Sequence, residues 1–192
     1  MAASDAYYQD PLPCPSRLVY QLVGGDAALL AKAAGLLDAR ETAGIDINMG
    51  CSAPEIVRTG AGVSWMAHEE ASRAMIAGVR KAVKGRLSVK MRLGADENLE
   101  RLVRFAQMLQ NEGVQAITLH PRTSTEKLKG RARWALCGES AWKSRISPSA
   151  AMAILARPKS SLSRAKGPVD GAAVKGRGCC AKTPGFLPRL GV

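Results

Sequence analysis

Three short apolar runs in this chain each finish on a chemically capable side chain. They are Asp46-Ile47-Asn48-Met49-Gly50-Cys51, Leu87-Ser88-Val89-Lys90-Met91-Arg92-Leu93-Gly94 and Ala116-Ile117-Thr118-Leu119-His120-Pro121-Arg122-Thr123. Apolar runs of this length bounded by glycine or proline read as β-strands. An earlier run, Leu18–Val23, has the same character and is broken by Gly24-Gly25. Between the runs lie helical stretches. Ala27–Arg40 carries Leu29, Leu30, Ala33, Leu36 and Leu37 as an expected inward stripe, with Asp26 placed to cap its first turn. After a loop from Ser52 to Gly62, a helix is expected over His68–Lys84 with Ala71, Met75, Ile76, Val79 and Val83 inward and Gly85 as its stop. Asn98 is the expected cap of a further helix carrying Leu102, Phe105 and Leu109, which Gly113 terminates.

Strands separated by single helices imply a parallel sheet with crossover connections, an α/β fold. In a parallel sheet all strand exits lie at one end, so Cys51, Lys90 and His120 share that end. α/β-barrel enzymes gather their chemistry there. The expected architecture is a partial TIM-type (β/α) barrel of about four β/α units, against eight in a closed one, with an irregular C-terminal tail.

The chain has 192 residues and a formal net charge of +12. That charge is unevenly placed: from Gly138 onward there are ten Lys/Arg and two Asp/Glu, against 18 and 14 before it. The expected organisation is therefore a loose leader over 1–16, a partial barrel over 17–137 and a basic tail over 138–192. The tail shows neither strand alternation nor a sustained helical stripe, so it is expected to add nothing to the sheet, with a short helix around Ala150–Leu155. No apolar run has the length of a membrane span and no signal peptide is visible, which points to the cytoplasm. The five cysteines, Cys14, Cys51, Cys137, Cys179 and Cys180, lack CxxC spacing and are accompanied by only two histidines. A metal site is not expected.

Four stretches resemble the tRNA-dihydrouridine synthases, FMN-dependent flavoproteins. They are Val19-Tyr20-Gln21-Leu22-Val23-Gly24, Asp46 to Cys51, Val89 to Gly94, and His120-Pro121-Arg122-Thr123 followed by Trp134. The resemblance runs from about Arg17 to Ala135. It implies reduction of uridine to 5,6-dihydrouridine in tRNA, with FMN as hydride carrier and NADPH as the reductant that recharges it. It makes Cys51 the acid that protonates C5 of the base, a task that suits a thiol with an ordinary pKa of about 8.5. Gln21, Lys90 and His120 correspond to residues that contact the flavin. Asn48, whose amide offers donors and acceptors, lies near the substrate base. Arg92 shares a strand face with Lys90 and reaches toward substrate or phosphate. Independently of the resemblance, a lysine inside a parallel strand demands a partner, because burying its charge alone is costly.

The family loop usually continues Gly-Cys with proline, where this chain has Ser52 and then Pro54, and Glu55 stands where many members have lysine. The family also opens with two further β/α units, and continues with an Ile-Pro-Val-x-x-Asn-Gly-Asp strand, a flavin-phosphate strand and a helical tRNA-binding domain. None of these stands in the sequence as written. Ser147–Ile154 read one base earlier permits Ile-Pro-Val-Ser-Gly-Asn-Gly-Asp, and a shift of frame between Ala135 and Trp142 is the expectation that follows; the gene sequence decides it. Two rivals belong to other classes: an FMN barrel of the dihydroorotate dehydrogenase type, and an inactive fragment that holds RNA non-specifically through its basic tail.

Overall fold

The computed structural model describes residues 15–126, 132–133 and 151–154. A 3₁₀ turn, Pro15–Arg17, leads into β1 (Val19–Leu22), α1 (Ala27–Asp38), β2 (Gly44–Met49), a short α2 (Pro54–Val57) and a 3₁₀ helix (Gly62–Ala67). Then come α3 (Glu69–Ala82), β3 (Leu87–Arg92), α4 (Leu99–Asn111), β4 (Ala116–His120) and β5 (Ala151–Ile154). The strands form one sheet in the order β1-β2-β3-β4-β5, every pair parallel. Successive strands that neighbour each other in sequence order and run parallel are the arrangement of a barrel wall, in agreement with the partial (β/α) barrel expected. Residues 1–14, the stretch around Trp134 and most of the expected tail lie outside the described residues.

The two faces of the sheet differ sharply. Side chains alternate along a strand, and on β2, β3 and β4 one set is Ile45, Ile47, Met49, Leu87, Val89, Met91, Ile117 and Leu119, all buried. They form a single core with Leu30 and Ala34 of α1, Met75, Ile76 and Val79 of α3, and Leu102, Phe105, Ala106 and Leu109 of α4. Full burial of such side chains contributes roughly 1.5–3 kcal/mol each, which is what holds the helices on this face. The other set is Asp46, Asn48, Ser88, Lys90, Arg92, Thr118 and His120, joined by Gln21 of β1 and brought side by side by the register Gln21↔Asp46, Asn48↔Lys90↔Thr118 and Arg92↔His120. This inner face is almost wholly polar.

Helix ends follow the sequence closely. Asp26 accepts the Leu29 N–H at 2.9 Å and Asn98 the Arg101 N–H at 2.9 Å, as N-caps do. Gly113 closes α4 at φ +87°.

Three expectations are corrected. On α1 the stripe is displaced: Leu30 and Ala34 are buried, whereas Leu29 and Leu36 are 65% and 64% exposed. Leucines 29/36 and 30/37 make two adjacent stripes, and packing against α3 uses the second. Gly35 lets the two helices approach, its missing Cβ lying 3.3 Å from the Ala82 carbonyl. On α3, Ala71 is exposed and Ser72 is buried in its place, its hydroxyl donating to the Trp65 carbonyl at 2.5 Å. Finally, Ala151–Ile154 is a strand on β4 and not a helix, so the sheet does continue past Gly138 at this point. The open edge of β4 offers unpaired N–H and C=O groups, and the helix preference of alanine is a weak prior against such pairing.

Candidate active site

Every sequence-predicted site residue lies on the inner face or at the strand exits above it. Cys51 follows β2 directly, Lys90 and Arg92 stand on β3 and His120 ends β4. The strands are parallel and in register, so these exits share one end of the sheet.

The Cys51 turn is held by side chains from below. Asn48 Oδ1 accepts from the Gly50 N–H at 3.0 Å and from the Cys51 N–H at 2.9 Å. The Cys51 carbonyl accepts from Val63 N–H at 2.9 Å, which draws the 3₁₀ helix over the turn. Trp65 of that helix donates Nε1–H to the Gly24 carbonyl at 2.8 Å and so ties it to the β1 exit. Cys51 itself is half-buried and its thiol is free.

Below the turn runs a chain of side-chain hydrogen bonds. Asn48 Nδ2 donates to Gln21 Oε1 at 3.0 Å, and Gln21 Nε2 donates to Asp46 Oδ2 at 2.6 Å. Ser88 Oγ donates to Asp46 Oδ1 at 2.6 Å. Burial pushes the Asp46 carboxyl above its ordinary value, against the hydrogen bonds from Gln21 and Ser88 and the nearby charge of Lys90, which favour the ionised form. Asp46 lies inside the sequence stretch that marked this site, but nothing in the one-dimensional pattern assigned it a role. The partners that define it stand on two other strands.

Arg92 is 5% exposed and bridges two exits. Its Nε–H donates to the Gly50 carbonyl at 2.7 Å and Nη1–H to the Thr123 carbonyl at 3.1 Å. His120 Nε2 lies 3.2 Å from Arg122 Nη1. A guanidinium only donates, so Nε2 accepts and the imidazole is neutral with its proton on Nδ1. Burial, followed by the charges of Arg92, Arg122 and Lys90, pulls the His120 pKa down to about 4, consistent with that tautomer at neutral pH.

The loop after β4 has its own clamp, which sequence reasoning missed. Glu126 accepts from the Thr123 N–H at 2.8 Å and the Thr123 hydroxyl at 2.9 Å, and pairs with Arg133 at 2.7 Å. Arg133 also reaches Glu97 at 2.5 Å. The Arg133 hydrogen bond first, then that from the Thr123 backbone, lower the Glu126 pKa to about 2. The Thr-x-x-Glu spacing of Thr123 and Glu126 was the available signal. Beside the site, a cavity of about 660 Å³ opens between the 3₁₀ helix, the β3 exit and α4, lined by Val63, Met66, His68, Leu93, Leu102 and Phe105 among others. His68 stands there exposed. Among the described residues no group of His, Cys, Asp and Glu could hold a metal ion, and no helix is long and apolar enough to cross a membrane.

A parallel barrel-type wall, apolar outside and polar inside, with a thiol and a neutral histidine at its strand exits and a lysine two residues before the exit of β3, has the form of an α/β-barrel site. Residues 4–139 match the model of the dihydrouridine synthase (Dus) family, and the chain belongs to that family. It is 40% identical over 105 residues to the probable tRNA-dihydrouridine synthase 1 of Synechocystis sp., covering 55% of this chain and 30% of that protein. It is 34% identical over 120 residues to the probable tRNA-dihydrouridine synthase of Rickettsia prowazekii, covering 62% and 37%. With the tRNA-dihydrouridine synthase B of Yersinia pestis it shares 32% over 114 residues, 59% of this chain and 36% of that protein. The chain thus spans about a third of the length of these relatives.

Proposed function

We propose that this chain carries the catalytic-cysteine part of a cytoplasmic tRNA-dihydrouridine synthase, which reduces uridine in tRNA with FMN as cofactor and NADPH as reductant. The observation that carries the reading is the gathering of Cys51, Lys90 and His120 at one end of the sheet, above a polar inner face, in a chain of the Dus family. The donor set suits a flavin ring. Gln21 brings an amide, Lys90 a cation and His120 a neutral imidazole with an Nδ1–H to donate, three groups matched to the carbonyl and nitrogen edge of an isoalloxazine. Bound there, FMN would supply the hydride chemistry.

The protein's own part is proton delivery and positioning. Cys51 Sγ stands at the exit of β2, where a thiol hands its proton to C5 of the pyrimidine. The Asn48 turn fixes the backbone from which that thiol projects. Asn48 Oδ1 is engaged twice and Nδ2 once, leaving one amide N–H to meet a uracil carbonyl. Arg92 braces the Cys51 turn against the loop after β4, and any contact it makes with substrate is made from that braced position.

The test is a chimera in which residues 17–135 replace the matching segment of the Synechocystis relative. It is expected to bind flavin and to form dihydrouridine in unmodified tRNA. Cys51→Ala in the chimera should lower product formation by about 10²–10⁴ while the flavin absorbance stays. Product formation indifferent to that substitution would overturn the reading.

A further inference from the structure

We propose that Asp46 is a positioning residue: its carboxylate sets the amide orientation of Gln21, Gln21 sets that of Asn48, and Asn48 thereby sets the turn that presents Cys51. Its consequence for catalysis rests on the function proposed above; the relay itself does not.

The logic lies in donor and acceptor polarity. A carboxylate only accepts, so the Gln21 end facing Asp46 must be its NH₂, as the 2.6 Å contact has it. The opposite end of the same amide, Oε1, is then an acceptor and selects the NH₂ of Asn48 at 3.0 Å. That leaves Asn48 Oδ1 as the end facing the Gly50 and Cys51 N–H groups, both of which need an acceptor. A flip of Gln21 would set acceptor against acceptor at Asp46 and donor against donor at Asn48; a flip of Asn48 would set donor against donor at the Gly50 and Cys51 N–H groups and acceptor against acceptor at Gln21. The information therefore starts at the one member of the chain whose polarity cannot be reversed. Asp46 is itself fixed: it is 1% exposed, and its other oxygen accepts from Ser88 Oγ at 2.6 Å on the neighbouring strand. The strand register puts Asp46 between its two partners, Gln21 opposite it on β1 and Ser88 opposite it on β3. The burial that pushes its carboxyl up in pKa is a standing cost to the fold, which is expected of a group kept for orientation and not for stability.

The experiment reads Cys51 directly in the full chain, without cofactor or tRNA, so it stands or falls apart from the proposed activity. Alkylation by iodoacetamide is followed on the peptide that contains Cys51, alongside the thermal unfolding midpoint. Gln21→Met should speed alkylation about fivefold, the factor expected when turn hydrogen bonding is lost, while the chain stays folded at the assay temperature with a midpoint lowered by the Asp46 oxygen left without its donor. Asp46→Leu should do the same. The double variant should be no faster than either single one, since both break one relay. Asp46→Asn should stay near the original rate, because its Oδ1 still accepts from Gln21 while Nδ2 donates to Ser88 Oγ. If Asp46→Leu fails to fold, the contrast between Gln21→Met and Asp46→Asn decides alone. An unchanged rate in Gln21→Met, or fully multiplicative effects in the double variant, would overturn the relay.

Discussion

Gly62→Ala is the sharpest probe of how the Cys51 turn is built. Gly62 has φ +61°, and a Cβ there would lie 2.4 Å from the Cys51 carbonyl oxygen and 3.0 Å from Ile56 Cγ2. Gly60, two residues earlier, has φ +73°, and nothing among the described residues lies within 4 Å of the place its Cβ would take. Both substitutions force an L-residue into the left-handed region, at about 1–2 kcal/mol. Only Gly62→Ala adds a collision with backbone. The Cys51 carbonyl would have to retreat, straining its 2.9 Å hydrogen bond from Val63; overpacking of this kind costs about 1–3 kcal/mol more. The expected losses are thus about 1–2 kcal/mol for Gly60→Ala and about 2–5 kcal/mol for Gly62→Ala. Urea unfolding measures both, as a fall in midpoint at constant slope. Equal losses within about 0.5 kcal/mol would show that the close approach of Gly62 to Cys51 is not what the turn depends on.

Two further outcomes follow from the inner face. His120 has a folded-state pKa of about 4, below its ordinary value, so the folded chain binds fewer protons there than the unfolded one between about pH 4 and 6.5. Its contribution is fully present above about pH 6.5 and is lost as pH falls toward about 4. Discounted for the exposure of the ring, the loss is about 1–2 kcal/mol, read as a shallower pH dependence of urea unfolding in His120→Gln; identical slopes would refute it. Comparing the two proteins cancels Glu126, whose contribution is lost only from its ordinary range down toward about pH 2, and Asp46, whose raised pKa acts in the opposite sense. Arg92→Lys leaves one head group to serve two carbonyls, Gly50 and Thr123, and should cost about 1–3 kcal/mol; a midpoint equal to that of the unsubstituted chain would mean the bridge carries no stability.

Strand exits were legible in the sequence because glycine and proline punctuate them, and the caps Asp26 and Asn98 were legible because each sits one residue before its helix. The α1 stripe was not. Leu29/Leu36 and Leu30/Leu37 have the same spacing, and only the position of α3 distinguishes them. Asp46 was missed for a related reason: its meaning comes from Gln21 and Ser88, 25 and 42 residues away along the chain, and an acid inside an apolar run carries no sign of which neighbours will meet it. At Ala151–Ile154 local composition favoured a helix while the waiting edge of β4 favoured a strand, and the non-local partner prevailed.

On β2, β3 and β4 the odd-numbered residues belong to the packing and the even-numbered ones to the chemistry: 45, 47, 49, 87, 89, 91, 117 and 119 against 46, 48, 88, 90, 92, 118 and 120. Substitutions in the even series leave the apolar core intact, so outside the braced positions Asp46 and Arg92 a lineage can explore new site chemistry on an undisturbed scaffold. The length of each strand has no such freedom. One inserted or deleted residue exchanges the two series beyond it, turning Lys90 and Arg92 toward the helices and Val89 and Met91 toward the site. In this wall, substitutions are the route to functional change, and strand length is what selection must hold constant.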